Sequence, residues 1–247
     1  MSIGSEEELR ALQAIGRIVG RTLGELAREV RPGISTAELA AIGAKLLAAE
    51  GAQSAPPRVY GFPGAVCISV NDEIVHGIPG ARVIAPGDLV KLDLTAEKDC
   101  YMADAALTLA VPPASERAVR LAQCAERAFE RALREARAPR RLCDLGAAVE
   151  TEVRRSGFAV VRELCGHGIG RTIHEPPQVL NYADTRRRER LTEGLVITVE
   201  PIIAAGTGEA YLAADGWTMK TADRSLAAHY EHTLVITRGE PLLLTAA

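Results

Sequence analysis

The sequence predicts an α/β (α+β) fold. Two related halves each run helix, helix and then antiparallel strands, forming one strongly twisted mixed, mainly antiparallel sheet backed by four helices. Apolar residues recur at helical spacing in four long stretches. Short apolar runs bounded by Gly, Pro, Asn and Asp follow each pair of stretches. The order repeats after Val111-Pro112-Pro113, so a single domain, 1–247, divides into halves of about 1–112 and 113–247 without a close sequence repeat.

Ser5, followed by Glu6-Glu7-Glu8, reads as a helix start, with Glu8 completing a capping box. Leu9, Leu12, Ile15, Val19, Leu23 and Leu26 then keep helical spacing to near Val30. A second helix starts at Ser35 or Thr36 and stops at Glu50-Gly51. Residues 52–64 hold three Pro and two Gly and read as loop. Strands are expected over Ala65–Val70 and Glu73–His76, the latter pinned by Gly77 and Pro79. Two more, from Leu89 and from Ala105 to Val111, flank a turn at Glu97-Lys98-Asp99. The helical period returns over Ser115–Ala136, is broken by Pro139, and resumes over Leu142–Ser156 to Gly157. Leu164 to Gly170 reads as a Gly-dense turn around His167, with a loop on to Tyr182. The remainder is strands: Leu195–Val199, Ile202-Ile203 with a hairpin through Gly206-Thr207-Gly208, Tyr211-Leu212, Trp217–Lys220 and His232–Thr237.

A net charge of −3 excludes a general nucleic-acid or membrane footprint. No run reaches 18 apolar residues, and MSIGSEEELRALQ has no basic-then-apolar leader. Five cysteines without a CxxC form neither a disulfide framework nor a zinc site, which suits a reducing compartment and a cytoplasmic location. The run Thr185–Arg190 reads as solvated surface, and nothing suggests an oligomerisation stripe, so a monomer is expected.

The chemistry begins at GDLVKLDLTAEKDCYMAD. With a turn centred on Lys98-Asp99, antiparallel pairing places Asp93 opposite Asp104, Cβ atoms roughly 4.5–5.5 Å apart. Two carboxylates that close repel, and burial sharpens the repulsion, so a divalent cation between them is the natural partner. The alternative is a pairing shifted by one residue, with one Asp facing solvent. His76, His167, His174, Glu200 and Glu231 also fall in apolar or glycine-pinned contexts, where charged groups are seldom left unpaired. Taken singly, His174 reads equally as a loop histidine, Glu200 as a solvent-facing strand end and Glu231 as an edge residue. His229 and His232 are harder to place; alternation sends His232 to the face opposite Glu231 and away from the ligands. Together, four carboxylates and an imidazole suit two divalent ions of Mn, Fe, Co or Zn. His76 and His174 would remain free for hydrogen bonds to substrate.

CISVNDEIVHGIPG (67–80), GDLVKLDLTAEKDCYMAD (87–104), CGHGIGRTIHEPPQVLNY (165–182), GLVITVEPII (194–203) and DGWTMKTADRSLAAHYEHTLVIT (215–237) resemble type I methionine aminopeptidases of the short bacterial kind. The resemblance covers nearly the whole chain. It implies the pita-bread fold, in which two pseudo-symmetric halves enclose a cleft. It implies that Asp93, Asp104 and Glu231 hold one metal ion and Asp104, His167, Glu200 and Glu231 the other. A water or hydroxide bridging the two ions would attack the first peptide carbonyl. Glu200 would carry the proton to the departing amine, His174 would stabilise the tetrahedral intermediate, and His76 would contact the scissile nitrogen. Phe62, Cys67 and Trp217, with His76 at the side, would wall the methionine pocket, where a thioether packs well against rings. The implied substrates are N-terminal methionines of nascent proteins and peptides with a small second residue, reached through at most transient contact with the ribosome.

Val59 and Ile173 depart from the family pattern, standing where many members carry aromatic residues. Cys100-Tyr101-Met102 replaces the frequent Gly-Phe-His. These changes bear on pocket width and turn surface, not on ligands. The N-terminus leaves no room for a zinc-binding extension, and the stretch between His174 and Glu200 none for the extra subdomain of type II members. A proline-specific peptidase of the prolidase or aminopeptidase P kind would share fold and ligands, but such enzymes usually carry a large N-terminal domain. A non-catalytic binding protein on the same fold would lose ligands, and here all five are present.

Overall fold

The computed structural model describes residues 1–246. Helix α1 (Glu6–Glu29) starts on Ser5, whose Oγ accepts the Glu8 N–H at 3.2 Å. The Glu8 carboxylate reaches past Ser5 to accept the Gly4 N–H at 2.7 Å, so the expected capping box closes one residue early. In α2 (Thr36–Ala49) the box is complete: Glu38 N–H donates to Ser35 Oγ at 3.2 Å and Ser35 N–H to the Glu38 carboxylate at 2.8 Å. The segment expected as loop holds β1 (Gln53–Ser54) and a short helix, α3 (Pro56–Tyr60). Proline at the first helical positions costs no hydrogen bond there, which is why a Pro-rich stretch can be helical.

Next come β2 (Cys67–Val70), β3 (Glu73–Val75), and the long hairpin of β4 (Leu89–Lys98) and β5 (Tyr101–Ala110). Helices α4 (Glu116–Leu133) and α5 (Leu142–Arg155) follow. The rest is strand: β6 (Ala159–Val160), β7 (Cys165–Gly168), β8 (Glu175–Leu180), β9 (Val196–Val199) and β10 (Ile202–Ala204). The last are β11 (Ala210–Leu212), β12 (Met219–Thr221), β13 (Ala227–His229), β14 (Glu231–Val235) and β15 (Leu242–Leu243).

The main sheet runs β1-β4-β5-β14-β9-β7-β8, with β2 also on β4 and β15 on β14, and these strands pair antiparallel. Mostly antiparallel sheet packed against helices is the pita-bread-like α+β architecture expected. The strands do not, however, form one sheet. Two smaller sheets, β13-β10-β6 and β11-β12-β3, stand apart from the main one. At the break towards β13-β10-β6 stands Pro201, which has no N–H to continue a ladder. The chain therefore passes between the main sheet and this smaller one side by side at β9–β10 and at β13–β14, Tyr230 N–H bonding the Pro201 carbonyl at 3.3 Å where the two passages meet. The Gly206–Gly208 turn is likewise not a hairpin, because β10 pairs with β13 and β6 while β11 pairs with β12.

The Gly-dense stretch around His167 is a strand, not a turn, and the loop after it contains β8. Glycine is needed there for closeness: a Cβ on Gly168 would stand 2.2 Å from the Pro176 carbonyl oxygen across the ladder.

Alternation along β4 divides the environments. Val90, Leu92, Leu94 and Ala96 point into a core with Leu12, Ile15, Val19 and Leu26 of α1 and Leu39 of α2. Lys91, Asp93 and Thr95 must then face the other side of the sheet. A second core joins Leu121 and Phe129 of α4 and Leu145 and Val149 of α5 to Ile197, Val199 and Leu234. Each pair of long helices thus covers strands whose opposite faces turn inward to one cleft.

Candidate metal centre

The β4–β5 hairpin supplies the first two carboxylates, in a register different from the one expected. Asp93 pairs with Ala106, and Asp104 with Thr95. The loop is Asp99-Cys100, at φ +52° and +64°, a two-residue turn with both central residues left-handed as the strand twist requires. Moving the turn by one residue moves each pairing by two. Because side chains alternate with period 2, Asp93 and Asp104 stay on one face as diagonal neighbours. Each carboxylate feels the other.

Threonine hydroxyls set the orientation of the ligands. Thr95 Oγ1 donates to Asp104 Oδ2 at 2.7 Å. Thr233 Oγ1 donates to the Asp104 carbonyl at 2.8 Å and accepts the Asp104 N–H at 2.9 Å. Thr198 Oγ1 accepts the His167 N–H at 3.1 Å and donates to Glu200 Oε1 at 3.0 Å. His167 Nδ1 lies 2.9 Å from the Gly168 carbonyl, and donation there leaves Nε2 bare as an acceptor, 3.5 Å from Glu200 Oε1. Glu200 directly follows β9 and Glu231 begins β14, so both sit where the chain crosses between sheets.

All five predicted ligands, Asp93, Asp104, His167, Glu200 and Glu231, line one cleft with Phe62, Cys67, His76, His174 and Trp217. Two triads have donor atoms in mutual reach: Asp104, His167 and Glu231, and Glu200, His229 and Glu231. His229 is the member that sequence reasoning did not place. Its Nε2 lies 3.6 Å from Glu200 Oε2 and 3.5 Å from Glu231 Oε2, and it is 1% exposed. The available signal was its position two residues before Glu231, which on a strand shares a face. His232 lies outside the cleft lining; its Nδ1 meets Thr245 Oγ1 at 2.8 Å and its ring packs on Phe129.

Burial, then the neighbouring Asp104 carboxylate, hold Asp93, Glu200 and Glu231 well above the usual carboxylate range, and burial raises Asp104. Burial also lowers His76, His167 and His174 to about 4 and His229 to about 3, leaving neutral imidazoles able to coordinate. Asp104 Oδ1, Glu231 Oε1 and both ring nitrogens of His229 are buried without a hydrogen-bond partner among the described residues. Buried polar atoms rarely stay unsatisfied. Clustered acids with orphaned oxygens beside bare imidazoles fit a pair of divalent cations, and the donor set accepts Mn, Fe, Co or Zn alike.

Phe62 meets Trp217 edge to face, ring centroids 5.3 Å apart at 82°. Ile173 is buried and lines the cleft. Val59, expected to affect pocket width, is 40% exposed and does not line it; its neighbour Tyr60 does.

The model of metallopeptidase family M24 matches residues 10–238. The chain belongs to metallopeptidase family M24. With two donor triads at its cleft, this M24 chain is a dinuclear-metal exopeptidase. Methionine aminopeptidase 2 of Bacillus subtilis is 43% identical over 247 residues, covering 99% of each chain. The crystal structure of methionine aminopeptidase from Thermotoga maritima superposes with a TM-score of 0.97 at 31% identity, covering 100% of both chains. The prolidase from Pyrococcus furiosus shares the fold, with a TM-score of 0.80 at 24% identity over 99% of this chain and 65% of that one. Among the described residues of this M24 chain, no helix is long and apolar enough to cross a membrane.

Proposed function

We propose that the chain is a methionyl aminopeptidase that removes the N-terminal methionine from nascent proteins and peptides with a small second residue. The observation that carries this reading is the meeting, in one cleft, of the buried Asp104, His167, Glu200 and Glu231 and the half-buried Asp93 with an apolar pocket of Phe62, Cys67 and Trp217. The full-length similarity to methionine aminopeptidases of Bacillus subtilis and Thermotoga maritima supports it.

Asp93, Asp104 and Glu231 would hold one ion, and Asp104, His167, Glu200 and Glu231 the other. Two divalent ions, when bound, supply Lewis acidity and lower the pKa of water towards neutrality. The protein does the rest. Phe62 and Trp217 grip the methionine thioether. His174 donates a hydrogen bond to the charge developing on the carbonyl oxygen. His76, held at φ +59°, contacts the scissile nitrogen. Glu200 takes the proton of the attacking water and delivers it to the departing amine.

The whole chain, 1–247, acts as one catalytic domain of two pseudo-symmetric halves, about 1–112 and 113–247. It works as a cytoplasmic monomer on nascent N-termini, touching the ribosome transiently if at all, without a stable nucleic-acid or membrane partner. Free cysteines at 67, 100, 124, 143 and 165 support a reducing compartment.

Hydrolysis of Met-Gly-Met-Met against Gly-Pro by the Mn- or Co-loaded protein tests the reading. Release of methionine should dominate. Faster turnover of Gly-Pro would sink it in favour of a proline-specific peptidase, and cleavage of neither by metal-loaded protein would favour a binding protein.

A further inference from the structure

Tyr60 was not singled out by its sequence context, yet it touches His174, the histidine assigned above to the scissile carbonyl. It is the last residue of α3, fixed by a Gly61 N–H bond to the Pro57 carbonyl at 3.1 Å. From there its Oη reaches His174 Nδ1 at 2.6 Å, with the two rings tilted at 32° and 5.6 Å between centroids. On its other side the His174 ring packs edge-on against His167, centroids 4.3 Å apart. No other hydrogen bond is made to the His174 ring among the described residues. The imidazole is therefore oriented by one hydroxyl and one ring contact.

A neutral imidazole carries one proton on one of two nitrogens, and the bond at one nitrogen decides the character of the other. A phenol is a stronger donor than acceptor. With the Tyr60 hydroxyl donating to Nδ1, the ring proton is on Nε2, the nitrogen left without a protein partner. A substrate carbonyl oxygen accumulating negative charge needs a donor there; an acceptor nitrogen would repel it. We propose that Tyr60 is a positioning residue that holds His174 as the Nε2–H tautomer, so that His174 meets the scissile carbonyl as a hydrogen-bond donor. This rests on the role given to His174 above and adds what makes that role available.

The tautomer is a property of the protein that can be read without turnover. In Zn-loaded protein labelled with 15N-histidine, His174, assigned by loss of its signals in His174→Ala, should show an acceptor-type Nδ1 and a protonated Nε2. In Tyr60→Phe these two resonances should move towards the average of a tautomer mixture. Kinetically, Tyr60→Phe should lower kcat by about tenfold, the contribution of one hydrogen bond, with KM changed by less than about twofold. On a His174→Ala background the same substitution should have no further effect on kcat. His174 shifts unchanged by Tyr60→Phe, or an equal kcat loss with and without His174, would overturn the proposal. If His174→Ala itself retained full kcat, the role of His174 would fall, while the nitrogen shifts would still decide whether Tyr60 sets its tautomer.

Discussion

Asp93 and Asp104 reach the same cleft from diagonal positions of the β4–β5 hairpin, Asp93 opposite Ala106 and Asp104 opposite Thr95. Their surroundings differ. Asp104 receives the Thr95 hydroxyl on Oδ2 and leaves Oδ1 buried and unpaired, the arrangement of a carboxylate with one oxygen held and one offered. Asp104→Ala should abolish peptidase activity and lower bound metal, measured by elemental analysis of the dialysed protein. His174→Ala should cut kcat by roughly 100-fold or more, as loss of a donor to a developing oxyanion does, with metal content unchanged. Metal lost from the His174 variant would count against its role.

The His229 ring sits between Glu200 and Glu231 and, among the described residues, has no other polar partner. Groups that support metal ligands typically change affinity by about 10–100-fold when removed. His229→Ala should weaken metal binding by that order in calorimetry, and excess metal should restore most of the activity. Wild-type affinity in the variant would make the ring a packing residue only.

Loading should also release protons. Carboxylates raised by burial and by one another hold protons at a pH where ordinary carboxylates are ionised, and a cation displaces them. Affinity should therefore rise with pH above the ordinary carboxylate range. His167, lowered to about 4, is already unprotonated there and adds nothing to the slope. Calorimetry in buffers of different ionisation enthalpy reads the proton count directly; zero protons released at every pH above the ordinary carboxylate range would contradict the assignment.

Gly146 lies inside α5, where replacing it by alanine favours the helix by about 1 kcal/mol. A Cβ there would stand 2.3 Å from the Tyr182 carbonyl oxygen and 2.6 Å from that of Leu180. Overpacking of that kind costs about 1–3 kcal/mol and outweighs the propensity gain. Gly146→Ala should lower the urea midpoint; a higher midpoint would mean that α5 does not press on β8 as described.

The helices were legible because each buries one face, and the period and caps of a helix are local. Asp93, Asp104, His167, Glu200 and Glu231 stood out as candidate ligands because their side chains fall in apolar or glycine-pinned contexts, while Phe62, Cys67 and Trp217 were named only through the resemblance; the fold brings both sets to one cleft. Residues 52–64 were misread because Pro and Gly signal turns and say less about the helix that Pro56-Pro57 can begin. Gly166 and Gly168 were misread as turn glycines for the same reason: closeness to a neighbouring strand leaves no mark in the local sequence.

By itself the sequence determined which face of the β4–β5 hairpin carries Asp93 and Asp104, since a period of 2 survives any even change of register. It also marked out acids and imidazoles among apolar residues as candidate ligands, because such groups call for a cation. Only the tertiary structure decided that Asp93 and Asp104 are diagonal, that the main sheet gives way to β13-β10-β6 at Pro201 and Tyr230, and that His229 and Tyr60 join the site. Those facts depend on contacts between residues far apart in the chain. Tyr60 and His174 are separated by 114 positions and meet at 2.6 Å, and no local pattern records such a distance.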